Sequence, residues 1–135
     1  MVDLNKLREY LVLAAHAGKT VTYSEIAQLL RLSSDDPEDR MLISRNLDEI
    51  SCSENARGRP LLSAVVVLPE IGYPAKGFFL LARELGLNLY CDERSFYSHE
   101  LQRVHDYWSK RMVDFPTAIP IRPPSYSDRI PEAVH

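Results

Sequence analysis

Apolar residues recur at helical spacing from the start of the chain. Leu4, Leu7, Leu11 and Ala14 or Ala15 share one stripe, and Lys6, Arg8 and Glu9 lie off it. This predicts a helix from Asp3 to Ala17, with Asp3 as N-cap and Gly18 as the left-handed stop. Thr22-Tyr23-Ser24-Glu25 has the spacing of a capping box, in which the first and fourth side chains satisfy each other's backbone donors. Ile26, Ala27, Leu29 and Leu30 then supply the buried face of a second helix. After a polar loop at Ser33 to Asp36, Pro37 suits the first turn of a third helix, and Asp36, Glu38 and Asp39 suit the positive end of its dipole. Leu42 or Ile43, Leu47 and Ile50 face inward there, Arg40, Ser44, Arg45 and Asp48 fall mostly on other faces, and the helix should end before Gly58.

The pattern then changes. Leu62 to Leu68 is apolar and rich in β-branched residues, which predicts a buried strand. Pro69 to Gly77 carries two prolines and two glycines around Tyr73 and Lys76, the mark of a turn or hairpin loop. Phe78 to Leu85 reads as a short buried helix closed by Gly86. Asp92 to Arg111 reads as a long amphipathic helix, with Phe96 or Tyr97, Leu101, Val104 and Trp108 on its stripe. Five of the nine prolines follow from Pro116 onward, so residues 112–135 are expected to form an extended tail and residues 1–111 a single domain.

Composition adds limits rather than identity. With 45% apolar and 26% charged residues, the 135-residue chain has the balance of a folded domain. No apolar stretch approaches the roughly 20 residues of a membrane span, and no signal-peptide pattern opens the sequence. Two cysteines, Cys52 and Cys91, do not make a disulfide framework, and the expected setting is reducing and cytoplasmic, away from membranes. The net charge of -3 supplies no global field for a phosphate backbone. Its distribution is uneven, however: Asp35, Asp36, Glu38 and Asp39 form an acidic run, and residues 40–83 carry a basic excess through Arg40, Arg45, Arg57, Arg59, Lys76 and Arg83.

Catalytic signatures are missing. Zinc binding needs clustered Cys and His, whereas Cys52 and Cys91 are far apart and His99 and His105 fall on different sides of one helix. There is no phosphate-cradling glycine loop, nucleophile elbow or zinc-protease helix. Cys52 has no histidine nearby in sequence and reads as a buried structural thiol. A non-enzymatic chain without metal or small-molecule cofactor is the expectation.

The order helix, loop, helix, strand, Gly/Pro-rich turn is that of a helix-turn-helix with a wing, and the residues carry a resemblance. Val21-Thr22-Tyr23-Ser24-Glu25-Ile26-Ala27 resembles the Val-x-Thr-Tyr-Gly-x-Ile-Ala opening of the C-terminal domain of alkylguanine-DNA alkyltransferases and alkyltransferase-like proteins. Ser44-Arg45-Asn46-Leu47 is similar to the Ala-Arg-Ala-Val segment of that family's recognition helix. Leu61 to Val66 falls where the family has Pro-Cys-His-Arg-Val-Val, and Gly72-Tyr73 to Gly77, with the helix after it, resembles the family's Gly-Tyr-x-Gly loop and closing helix. Gly58 to Val67 and Gly77 to Ala82 are also similar to small bacterial proteins of no assigned activity.

The acceptor cysteine of the family would fall at about Leu62, its histidine partner at Ser63 and the next arginine at Ala64. Without a thiolate and its base, alkyl transfer cannot occur. Alkyltransferase-like proteins also lack that cysteine and still bind damaged DNA, so the resemblance implies recognition without chemistry. It implies for Arg45 the role of the arginine that fills the space of an extruded base.

The expected fold is therefore α+β: a winged-helix-like core of about three helices and a small β-sheet with a wing-like loop, flanked by an N-terminal helix and a long C-terminal helix. Arg45, Arg40, Tyr23 and Lys76 are the candidate DNA contacts, with weak, salt-sensitive binding expected from the acidic balance. The alternative is a protein-binding module (an inhibitor, immunity protein or adaptor) that presents Asp35, Asp36, Glu38 and Asp39 to a basic protein partner.

Overall fold

The computed structural model describes residues 3–87 and 92–111. In chain order these form α1 (Leu4–His16), β1 (Val21–Thr22), α2 (Tyr23–Leu30), α3 (Pro37–Ala56), a single 3-10 turn (Leu62–Val65), β2 (Val66–Val67), α4 (Lys76–Glu84) and α5 (Glu93–Ser109). The expected tail at 112–135 and Cys91 lie outside the described residues. The architecture is mostly helical with one two-stranded parallel sheet, an α+β arrangement. No helix among the described residues is long and apolar enough to cross a membrane.

The helix starts follow from their caps. Asp3 accepts from the Lys6 N–H at 3.1 Å, Asp36 from Glu38 at 3.2 Å and Asp92 from Ser95 at 2.7 Å. The capping box at α2 is complete: Thr22 Oγ1 accepts from the Glu25 N–H at 3.1 Å, and Glu25 Oε1 accepts from the Thr22 N–H at 2.8 Å. Pro37 occupies the first turn of α3, where a missing N–H costs nothing.

The strand expected at Leu62–Leu68 is corrected. Only Val66 and Val67 are extended, paired in parallel with Val21 and Thr22, and the preceding four residues wind into the 3-10 turn. Leu61 to Val67 is buried throughout, packed against α1, α3 and α5, so apolar composition there reflects burial from all sides rather than a sheet. Its main chain is satisfied by distant side chains instead of a ladder. Glu100 Oε2 accepts from the Leu61 N–H at 2.7 Å, and Ser51 Oγ accepts from the Ser63 N–H at 3.0 Å. The Ser51 hydroxyl in turn donates to Ser63 Oγ at 2.7 Å.

The turn after β2 forms where expected. Leu68 and Tyr73 make one antiparallel bridge, with the Leu68 N–H donating to the Tyr73 carbonyl at 2.8 Å, and Gly72 takes φ +65 to close it. Tyr73 then lies against Phe79 and Tyr97, with ring centroids at 5.5 and 5.2 Å. α4 begins at Lys76, two residues earlier than its apolar pattern indicates. On α5 the inner face is Phe96, Tyr97, Glu100, Val104 and Trp108, and Leu101 is only half-buried. Two histidines tie α5 to the α1 end of the molecule. His16 Nδ1 donates to the Trp108 carbonyl at 2.8 Å, and His105 Nε2 donates to the Lys19 carbonyl at 3.0 Å.

One ion cluster is built into this core. The Glu54 carboxylate on α3 is 0% exposed and receives Arg59 Nε at 2.6 Å, Arg59 Nη2 at 3.1 Å and Arg8 Nε at 2.9 Å. Burial pushes the Glu54 carboxyl upward, but the hydrogen bonds and charges of Arg59 and Arg8 outweigh it, leaving the group below its ordinary value. Its stabilisation is thus complete above the unfolded-state carboxyl value, about 4.3, and is lost as pH falls through the folded-state value. Glu54→Gln should destabilise the chain at neutral pH by about 3–5 kcal/mol, because two guanidiniums lose their buried counter-charge. Urea unfolding between neutral and acid pH checks both points: the Glu54 contribution should be lost on acidification, so the native chain should lose more stability than the variant over the same interval.

Candidate nucleic-acid interface

The start of α2, the middle of α3 and the start of α4 meet on one surface. Gly77 permits the closest approach: a Cβ added there would stand 3.4 Å from Ser44 Oγ, so the first turn of α4 lies directly on α3. Tyr23, Ser44, Asp48, Ser63 and Gly77, with Pro74 beside them, line a cleft of about 20 Å³. A space of that size holds about one water and no base. The Tyr23 phenol is half-buried; burial raises its pKa, a side-chain hydrogen bond from Ser44 and the charge of Arg40 lower it, and Asp48 raises it again.

A neighbouring opening of about 180 Å³ is lined by Tyr23, Ser24, Asp35, Arg40 and Glu70, with Leu68 and Pro69 forming its apolar side. Two of the four candidate DNA contacts, Tyr23 and Arg40, therefore share a concavity. Arg45 stands exposed on α3 next to Ser44, its Nη2 against Met41 Sδ at 3.8 Å, and Lys76 stands exposed at the start of α4 next to Gly77. These two flank the Ser44–Gly77 contact without lining either opening.

The acidic residues are partly committed to local structure. Asp36 caps α3, and Asp39 Oδ2 accepts from the Ser33 N–H at 2.9 Å, closing the α2–α3 loop. Asp35 borders the Arg40 opening, and Glu38 lies exposed in the first turn of α3. The run thus straddles the start of α3, with Asp35 and Asp36 before its first residue and Glu38 and Asp39 in its first turn, and Arg45 sits six residues beyond Asp39, about 9 Å further along the axis.

The site also corrects one sequence expectation. Cys52 is exposed, not buried, because the face of α3 that carries Asp48 also carries position 52 one turn on. Partial desolvation and the charges of Asp48 and Glu84 push its thiol upward, the opposite of what a nucleophile needs. Ser63 and Ala64, which the resemblance would set against the family's histidine and arginine, are buried, and Ser63 is held by Ser51. Among the described residues, no group of three or more His, Cys, Asp or Glu side chains is placed to hold a metal ion.

Two residues of this surface escape sequence reasoning. Ser44 gives no motif signal beyond its place before Arg45, yet it touches Tyr23 and Gly77. Asp48 was legible as a helix-face carboxylate, but not as one desolvated beside Tyr23 and Glu84. Burial first and Glu84 second raise the Asp48 carboxyl. Its charge is therefore a cost to folding that is present above the folded-state value and vanishes below the unfolded one. Asp48→Asn should raise the urea midpoint at neutral pH, with the two proteins converging on acidification; an equal offset at every pH would remove the electrostatic cause. Comparison of the chain with protein-family models, curated proteins and solved structures returns no match.

Proposed function

We propose that the chain is a non-enzymatic DNA-recognition module of winged-helix type. In this reading α2 and α3 form the helix-turn-helix pair, and the Leu68–Tyr73 turn with the start of α4 forms the wing. The observation that carries it is the meeting of three elements around Ser44. Tyr23 and Arg40 line one concavity there, and Arg45 and Lys76 stand exposed on either side of the α3–α4 contact. The resemblance to alkyltransferase-like proteins supports the same surface and gives Arg45 the base-side position. The narrow cleft beside Ser63 favours a module that reads or props DNA over one that seats an extruded base in that cleft.

The acidic first turn of α3 shapes the mode of binding. Arg45 lies roughly 9 Å along the axis beyond Asp39, close to the Debye length of about 10 Å at 0.1 M salt, so carboxylate repulsion is weakened but not removed at the contact. Docking by the middle of α3 avoids placing Asp36 and Glu38 against phosphates, as an end-on entry would. A basic protein partner is the second reading. It is favoured by Met41, 58% exposed and two residues past Asp39, which gives the acidic turn an apolar neighbour.

Titration of labelled duplex and single-stranded DNA at low and moderate salt tests the proposal. Binding should be salt-sensitive, and Arg45→Ala should weaken it by about 1–3 kcal/mol. Lys76→Ala should weaken it across sequences and reduce the salt slope by about 1. An Arg45→Ala variant that binds as the native chain does, or no binding at low salt, overturns the DNA reading; the latter result redirects attention to the acidic turn.

A further inference from the structure

A second polar concavity lies between the start of α1 and the last turns of α3. It measures about 360 Å³ and is lined by Arg8, Arg57 and Arg59, with Asn5, Ser53 and Glu49 beside them. Behind it sits the buried Glu54 carboxylate, which fixes Arg8 through Nε and Arg59 through Nε and Nη2. Arg8 is supported from a second side by Trp108, whose ring centroid lies 5.6 Å from the guanidinium carbon. Two guanidiniums are thus held in place before any ligand arrives, and rigid donors lose little entropy on binding.

The donor inventory is in excess of what the protein uses. Among the described residues Arg8 gives only Nε to a hydrogen bond, with Glu54, which leaves both of its Nη groups for a ligand. Arg57 makes no side-chain hydrogen bond or ion pair among the described residues and stands exposed at the end of α3. The Arg8–Glu54–Arg59 cluster carries one net positive charge; Arg57 adds one and Glu49 removes one. Leu4 and Ile50 complete the wall with apolar surface.

We propose that this cleft binds an oxyanion of the phosphate class, with Arg8 and Arg57 donating to its oxygens and Ser53 and Asn5 completing the shell. Guanidinium forks match the geometry of phosphate oxygens, and charge-assisted bonds of this kind are roughly twice as strong as neutral ones. Glu49 disfavours a second anionic group and accepts from a hydroxyl on the ester. The oxyanion can be a free phosphate ester or a backbone phosphate of a nucleic acid following the row from Arg45 through Glu49 and Ser53 to Arg57. The cleft stands independently of the DNA reading.

Calorimetric titration of the full chain with inorganic phosphate, against sodium chloride at equal ionic strength, tests the site. Phosphate should bind above the chloride background, Arg57→Ala and Ser53→Ala should each weaken it, the arginine variant by about tenfold, and Arg45→Ala should leave it unchanged. Both cleft variants alter exposed side chains outside the Glu54 cluster, and their thermal melts verify the fold. Repeating the duplex titration with Arg57→Ala separates the sources: weakened DNA binding assigns the oxyanion to a backbone phosphate, and unchanged DNA binding assigns it to a free ester. A phosphate response equal to that of chloride, or one that Arg57→Ala leaves intact, overturns the site.

Discussion

The main chain from Leu61 to Val67 crosses the interior with every side chain buried, and the rest of the molecule is arranged to make that tolerable. A buried peptide group without a partner costs about 1–3 kcal/mol, and this stretch has a sheet partner only at its last two residues. Glu100 from α5 and Ser51 from α3 supply what a ladder would have supplied. Each of those helices is therefore held in rotation and register by a side chain that must reach the strip. Arg103 bonds the other oxygen of Glu100, so the carboxylate is oriented as well as neutralised. α1 closes the third side through Leu7, Leu11 and Ala15, all 0% exposed.

That constraint also sets the surface. Ser63 belongs to the buried strip and to the wall of the Tyr23–Ser44 cleft at once, so the core and the candidate interface share an element. β2 leads straight into the Leu68–Tyr73 turn, and packing of Tyr73 on Phe79 and Tyr97 returns the chain to α3 at Gly77. The juxtaposition of α2, α3 and α4 is in this sense a consequence of where the strip exits the core. Chemistry is correspondingly restrained: the one described cysteine has a raised thiol pKa, and the positions beside the cleft are hydroxyls and a desolvated carboxylate.

The two buried glutamates show where a residue pattern misleads. Glu54 and Glu100 look like solvated positions on amphipathic helices, and both lie inside, at 0% and 2% exposure. Each has a partner close in sequence, Arg59 for Glu54 and Arg103 for Glu100, but the partners that draw them inward, Arg8 and the Leu61 N–H, are 46 and 39 residues away and lie in no local window. Cys52 is the converse case, an apolar-looking side chain left outside by the rotation of α3. The end of α2 was similarly silent. It stops at Arg31 in the left-handed region, φ 60, where a glycine would have marked it, and the Leu32 N–H reaching the Ala27 carbonyl at 2.8 Å holds it there.

What the sequence determined by itself is local. Asp3, the Thr22–Glu25 box, Asp36 with Pro37, and Asp92 place the starts of four helices, because a cap and its backbone donor lie within three residues of each other. The Pro/Gly turn at 69–77 was legible for the same reason, as were Tyr23, Arg40, Arg45 and Lys76 as polar groups free of the apolar stripes. Only the tertiary structure decided that Leu62 to Val65 winds instead of extending, that Ser44 meets Gly77, and that Arg8 and Arg59 converge on Glu54. An apolar run specifies burial but not the route of its hydrogen bonds. That route is chosen by side chains brought in from α3 and α5 once the helices pack.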